Sequence, residues 1–212
     1  MTAATLDLVL ARRIIPVVVL EKVEAALPLA RALVAGGLPV AEVTFRSDVA
    51  VDAIRLIASE TEVLVGAGTV VRPDQVDAAV DAGAGFVVTP GFSESVVGRC
   101  TELGVPVIPG VATATEVIAA IGHGLTVLKL FPAEAVGGSS LLKALAGPFP
   151  DVRFVPTGGV GSANMAGYLA LSNVVAVGGS WMVAPGLIAA GDFDAIQRLT
   201  ADAVARAAEE AP

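Results

Sequence analysis

Short apolar runs rich in valine and isoleucine alternate with longer, alanine-rich segments along the chain. The short runs predict buried strands and the longer segments predict amphipathic helices. Eight strands are predicted, over residues 13–20, 40–45, 63–69, 86–90, 106–111, 126–131, 153–158 and 174–179. The alternation therefore indicates repeated βα units with parallel strands.

Eight such units in 212 residues predict an α/β fold, a single (β/α)8 TIM barrel with a short N-terminal helix. One domain is expected to span residues 1–212, because 55% of the residues are hydrophobic and can fill one large core. A doubly wound open sheet is the alternative. It is disfavoured because no GxGxxG turn follows a strand and opens a helix.

One lysine interrupts the predicted strand 126–131, which otherwise has the pattern of a buried strand. Side chains alternate between the two faces of a strand, so Lys129 is expected to face the barrel interior together with Phe131. The same alternation turns Glu42 and Arg46 inward. A buried ammonium needs a counter-charge or loses its proton, and a neutral lysine is a nucleophile. Glu42 and Lys129 are thus either a structural ion pair or catalytic groups.

Paired glycines end the seventh and eighth predicted strands, in the stretches TGGV and VGGSW. Glycine lets backbone N–H groups approach a ligand closely, and barrels of this kind often bind phosphate at these two positions. The alternative is that each pair forms only a tight turn. We predict an anion site formed by Gly158, Gly159, Gly179 and Ser180.

The charge pattern and the scarcity of histidine and cysteine exclude several classes of function. A net charge of -8 without a basic run argues against a nucleic-acid partner. One cysteine, Cys100, and one histidine, His123, leave too few ligands for a zinc or other transition-metal site. The uncharged stretch 171–191 is broken by glycine and proline, which argues against a membrane span. The N-terminal residues do not resemble a signal peptide, so a cytoplasmic location is expected.

The ordered motifs RIIPV, EVTFR, VGAGT, TPGF, KLFPAE, PTGGV and VGGSW resemble those of one enzyme family nearly from end to end. That family comprises the 2-keto-3-deoxy-6-phosphogluconate (KDPG) and 4-hydroxy-2-oxoglutarate (KHG) aldolases. The resemblance implies a class I aldolase that cleaves KDPG reversibly to pyruvate and glyceraldehyde 3-phosphate, and KHG to pyruvate and glyoxylate. It also implies a homotrimer whose partner is a small keto-acid phosphate and which needs no cofactor.

The same resemblance implies a role for each matching residue. Lys129 forms the Schiff base and Glu42 is the general acid and base, whereas Arg46 and Thr69 bind the substrate carboxylate. The glycine pairs and Ser180 bind the phosphate. The remaining pocket residues are Pro90, Phe131, Thr157 and Arg13. Phe45 and Leu130 depart from the residues common in the family, and both are expected to affect only packing against the helices.

Three other functions compete with this one. The epimeric substrate 2-keto-3-deoxy-6-phosphogalactonate differs from KDPG by one hydroxyl configuration, and the sequence does not choose between them. A non-covalent sugar-phosphate isomerase or a binding barrel would also carry glycine turns, but neither would require an interior lysine. A purely structural Glu42–Lys129 pair would tolerate replacement of both residues by apolar ones.

Overall fold

Parallel strands lie where the apolar runs predicted them in the computed structural model, which describes residues 2–210. Strand pairs within each sheet are parallel. The strands are β1 (Ile14–Val18), β2 (Val40–Thr44), β3 (Leu64–Gly68), β4 (Val87–Val88), β5 (Val107–Ile108), β6 (Gly110–Val111), β7 (Val127–Leu130), β8 (Arg153–Pro156) and β9 (Val177–Gly179).

β5 and β6 are the two halves of the one strand predicted over 106–111. Pro109 separates them, because proline has no N–H to donate to a neighbouring strand. Six strands form a sheet in the order β5-β4-β3-β2-β1-β9, and three form a second sheet in the order β6-β7-β8. The chain joins the two sheets at Pro109, and isolated bridges between 154 and 174 and between 157 and 178 join them on the other side. The predicted barrel is therefore confirmed, and the open sheet is excluded.

Helices follow the strands around the outside of the barrel, and an N-terminal helix precedes them as predicted. The described part of the chain contains α1 (Thr2–Leu10), α2 (Ala26–Ala35), α3 (Ala50–Glu60), α4 (Pro73–Asp81), α5 (Glu94–Leu103), α6 (Ala114–Gly122), α7 (Gly138–Ala146), α8 (Met165–Leu169), α9 (Pro185–Ala190) and α10 (Phe193–Glu209). Short 3-10 helices occupy Val23–Ala25, Glu134–Val136 and Trp181–Val183. No helix in residues 2–210 is long and apolar enough to cross a membrane.

One continuous core of buried apolar side chains runs from Val9 to Ala207. Five buried polar residues interrupt it on strands or directly after them. They are Glu42, Thr44, Thr89, Lys129 and Thr157. Each of the five has a hydrogen-bond partner, as buried polar groups require, and Glu42 and Lys129 are partners of each other.

Candidate active site

Lys129 and Glu42 meet inside the barrel from opposite sides of its wall. Lys129 lies on β7 between Gly110 and Val155 of the neighbouring strands, and Glu42 lies on β2 between β1 and β3. Lys129 Nζ is 3.2 Å from Glu42 Oε1. The two residues are 5% and 2% exposed, so water hardly screens their interaction.

A glycine provides the space for the Glu42 carboxylate. A Cβ atom at Gly68, the last residue of β3, would overlap with the Glu42 side chain. Any larger residue at this position would move the carboxylate, and with it the partner of Lys129. The sequence analysis did not identify Gly68, although a glycine inside a strand pattern signals a close approach by another group.

Phe131 gives the Lys129 ammonium a second favourable contact. The Nζ atom lies 5.1 Å from the centroid of the Phe131 ring, within the range of a cation–π interaction. On the mouth side of the pair, at the end of β2, the hydroxyl of Thr44 donates to the Val18 carbonyl oxygen at 2.9 Å. Lys129 is therefore held between a carboxylate and an aromatic face, at the end of the barrel where the strands finish.

We call that end the mouth. Arg46 lies there, two residues after the end of β2, and it is exposed. Within residues 2–210 its guanidinium forms no ion pair. Thr69 directly follows β3 with a positive φ of 57°, which is uncommon for a residue other than glycine and often marks a functional position. Pro90 is half-buried just beyond β4. An unpaired arginine at the mouth is suited to bind a carboxylate in two-point fashion.

The two glycine pairs have different structural causes. Gly158 and Gly159 have φ values of 95° and 81°, a region that favours glycine, so this pair forms a turn. At Gly178 an added Cβ would overlap with Thr157, and at Gly179 it would overlap with the Trp181 ring, so packing explains the second pair. Among the described residues, the backbone amides of Gly159 and Ser180 donate to no group. These two amides remain free to bind an anion.

Arg13 does not lie in the pocket, so the expectation for this residue is wrong. It precedes β1 at the N-terminal rim, the end of the barrel opposite to the mouth. Its guanidinium donates to the Glu210 carbonyl oxygen at 2.6 Å and to the Leu169 carbonyl oxygen at 2.7 Å. Val17, which is level with Glu42, comes four residues later, about 13 Å along the strand. Arg13 therefore holds the C-terminal ends of α8 and α10 against the barrel.

Other titratable groups and cavities lie away from this site. Burial raises the pKa of the Cys100 thiol to about 12, which makes it unreactive. A cavity of about 670 Å³ lies between α1 and the beginnings of β2 and β3 at the N-terminal rim. Its charged residues, Arg12 and Glu62, are exposed, so it lacks the buried charges of the mouth. No group of three metal-ligating side chains occurs in the part of the chain that the structure describes.

A buried amine in contact with a carboxylate, Lys129 beside Glu42, is what Schiff-base formation needs, and inside a (β/α)8 barrel it defines a class I aldolase. Residues 7–199 match the family model described as KDPG and KHG aldolase. The chain belongs to this family.

The chain is similar in sequence to known aldolases over most of their length. The KHG/KDPG aldolase of Escherichia coli (strain K12) is 50% identical over 192 residues, covering 90% of each chain. The 2-dehydro-3-deoxy-phosphogluconate aldolase of Treponema pallidum (strain Nichols) is 53% identical over 189 residues, covering 89% of this chain and 90% of the relative.

A solved structure shows the same fold. KDPG aldolase from Legionella pneumophila, with pyruvate captured at low pH as a covalent carbinolamine intermediate, is 42% identical and has a TM-score of 0.91, covering 94% of this chain and 97% of that one.

Proposed function

We propose that the protein cleaves KDPG reversibly to pyruvate and glyceraldehyde 3-phosphate through a Schiff base on Lys129. The observation that carries this proposal is the buried contact of 3.2 Å between Lys129 Nζ and Glu42 Oε1. KHG, which would give pyruvate and glyoxylate, is a second substrate, because a relative covering 90% of the chain is named for both activities.

In the first step, the Glu42 carboxylate takes a proton from the Lys129 ammonium across their contact. The free amine then attacks the C2 carbonyl of the keto acid and forms a carbinolamine. Glu42 returns the proton to the carbinolamine hydroxyl, water leaves and a protonated imine remains. The low exposure of both residues keeps bulk water from competing in these transfers.

In the second step, the carbon–carbon bond between C3 and C4 breaks. Glu42 accepts the C4 hydroxyl proton, glyceraldehyde 3-phosphate leaves, and the electron pair moves into the iminium to give an enamine. A proton from Glu42 returns to C3, and water hydrolyses the protonated imine, which releases pyruvate and restores the Lys129 ammonium. Every proton that Glu42 takes up is returned within the cycle, so no cofactor is needed.

The mouth holds the two ends of the substrate. Arg46 and Thr69 bind the carboxylate, since Arg46 has no other anionic partner within the described chain. The phosphate lies against Gly158, Gly159, Gly179 and Ser180, where the amides of Gly159 and Ser180 are free. Pro90, Phe131 and Thr157 line the wall between these two ends.

A coupled assay tests this function and its competitors. Purified protein with EDTA is incubated with KDPG, with its galactonate epimer and with KHG, and pyruvate is measured by lactate dehydrogenase. We expect KDPG to give pyruvate and glyceraldehyde 3-phosphate in equal amounts, and Lys129→Ala to give neither. If the galactonate epimer were cleaved faster than KDPG, that epimer would be the preferred substrate. Isomerisation or binding without cleavage would refute an aldolase.

We also propose that the chain acts as one aldolase domain and as a homotrimer. The single continuous core supports one domain. Ile118 and Ile121 on α6 are 61% and 42% exposed, and Val71 is 47% exposed, which is suited to contact with further copies of the chain. Light scattering should give three times the 21.1 kDa chain mass. A mass of one chain would refute the trimer. The cytoplasmic location stays a prediction, which cell fractionation tests.

A further inference from the structure

The turn at Gly158 and Gly159 rests on the segment that follows Phe131. Backbone hydrogen bonds join the two segments, from Ala133 N to Thr157 O at 2.8 Å and from Glu134 N to Gly158 O at 3.1 Å. The conformation of the turn is therefore coupled to the position of residues 133 and 134. The turn matters because the proposed function places the substrate phosphate against Gly158 and Gly159.

The Glu134 side chain covers the outer face of this turn. A Cβ atom built at Gly159 would lie 2.7 Å from Glu134 Cβ, so the methylene groups of Glu134 occupy the space beside the glycine. The exposed position of Glu134 gives such a side chain freedom to move, unless a partner fixes it.

Tyr168 is that partner. Its hydroxyl donates to Glu134 Oε1, although the residues are 34 positions apart. Tyr168 is 2% exposed on α8, and Gly138 leaves room for its hydroxyl, because a Cβ there would lie 2.7 Å from it. Burial, and secondarily the hydrogen bond to Glu134, raise the pKa of Tyr168, so the phenol keeps its proton and remains a donor.

Asn164 holds the same turn from its other end. Its Nδ2 donates to the Gly159 carbonyl oxygen at 3.0 Å, and its Oδ1 accepts from the Gly161 amide at 2.8 Å. The peptide that carries the Gly159 N–H is thus held by the Glu134 amide through the Gly158 carbonyl oxygen, and the next peptide is held by Asn164. A backbone amide with fixed direction binds an anion better than a mobile one, because no ordering cost remains at binding.

We propose that Glu134 and Tyr168 are positioning residues that set the phosphate turn, and thereby the preference for phosphorylated over unphosphorylated keto acids. The proposal rests on the proposed function, since it needs the phosphate to bind at Gly159. Neither residue contacts the reacting pair in the structure, so the chemistry at Lys129 does not depend on them directly.

The test compares KDPG with KHG, which lacks the phosphate, in the variants Tyr168→Phe, Glu134→Ala and Glu134→Gln. Tyr168→Phe is expected to raise KM for KDPG about tenfold, the effect of losing a hydrogen bond to a charged group. Glu134→Ala should raise it at least as much, because the side chain that covers Gly159 is also lost. For both variants kcat/KM for KHG should stay within about twofold of wild type.

Glu134→Gln is the rescue variant, because its amide oxygen still accepts from Tyr168 and its methylene groups still cover Gly159. Its KM for KDPG should stay within about threefold of wild type. Glu62→Ala, which removes an exposed glutamate at the other end of the barrel, is the matched control. It should leave KM and kcat/KM unchanged for both KDPG and KHG. Thermal unfolding of each variant identifies those that lose the fold.

Each remaining outcome opposes the proposal. If kcat/KM fell equally for KDPG and KHG in a folded variant, the residue would have a general structural role. That result would overturn the proposal and leave the aldolase assignment intact. Unchanged KM for KDPG in both Tyr168→Phe and Glu134→Ala would show that the turn is set without this pair. A wild-type protein that releases no pyruvate from either substrate would overturn the proposed function itself, and this proposal with it.

Discussion

Arg46 and Arg13 lie at opposite ends of the barrel, and they differ in how their guanidinium groups are satisfied. Arg13, at the N-terminal rim, donates to two carbonyl oxygens that end helices. Arg46, at the mouth, forms no ion pair with any described residue. A satisfied guanidinium stabilises the fold, whereas an unpaired one at a mouth is available to a ligand. The environment of a charged residue, rather than its type, thus separates structural from functional roles.

The largest effect is expected inside the barrel, midway between these arginines. Lys129→Met should reduce kcat by about 10⁴-fold or more, because the nucleophile is lost. It should also lower the free energy of unfolding by about 3–5 kcal/mol, because Glu42 stays buried without its partner.

The double variant Lys129→Met with Glu42→Gln separates the two effects. Its chemical denaturation should show most of the lost stability restored, while the assay should show no recovery of activity. Recovery of activity together with stability would mean that the pair serves only the fold.

The next prediction is that removing Arg46 affects substrate binding alone, whereas removing Arg13 affects stability alone. Arg46→Ala should raise KM for pyruvate in the condensation direction by about 100-fold, as expected for the loss of a two-point charged contact, with the free energy of unfolding changed by less than about 0.5 kcal/mol. Arg13→Ala should lower that free energy by about 2 kcal/mol and leave KM unchanged, since only carbonyl contacts are lost. Kinetics and urea denaturation of both variants measure this. A raised KM in Arg13→Ala would contradict the assignment of this residue to the rim.

Gly68→Ala should reduce kcat by about tenfold, a smaller effect than the loss of Lys129. The added methyl group would displace the Glu42 carboxylate from the amine, and small displacements of a catalytic group reduce the rate strongly. Gly104→Ala is a suitable control, because alanine is strained at the φ of 66° found there, while its added methyl group would meet no other side chain. The control should lose stability but keep kcat. An unchanged kcat in Gly68→Ala would show that Glu42 does not need this space.

The smallest effect concerns Cys100. Burial raises the pKa of its thiol to about 12, well above the ordinary value of about 8.5, so folding favours the protonated form. This contribution to stability is present below about pH 8.5 and is lost as pH rises toward the folded pKa. Labelling with a thiol reagent should therefore be slow in the native protein at both pH 7 and pH 9, and rapid in denaturant. Rapid native labelling would show that the thiol is accessible.

The parts of the site that could be predicted from sequence follow from strand periodicity. Alternation of faces predicted that Lys129 and Glu42 share the interior, because a buried charge in an apolar strand is conspicuous. The expectation for Arg13 came from the family resemblance, and it failed because this residue precedes β1 at the end of the barrel away from the mouth. The break at Pro109 was contained in the sequence as a proline within a strand pattern.

Contacts between distant segments could not be predicted in this way. Glu134 and Tyr168 are 34 positions apart, and nothing in either local pattern distinguishes them from a surface acid and a core aromatic residue. The sequence also did not reveal why each glycine pair occurs. A positive φ at Gly159 and the packing of Trp181 on Gly179 both require glycine, so the two pairs look the same in the sequence. Local periodicity reports which way a side chain points but not which residue it meets.

The central claim is that the buried lysine is the nucleophile, and borohydride trapping tests it most directly. The protein is reduced in the presence of pyruvate, and intact and peptide masses are compared for wild type, Lys129→Ala and the matched control Lys143→Ala. Our account predicts one reduced pyruvyl adduct, on the peptide that contains Lys129, in wild type and in the control but not in Lys129→Ala. An adduct on another lysine, or no adduct in a folded protein that cleaves KDPG, would contradict it.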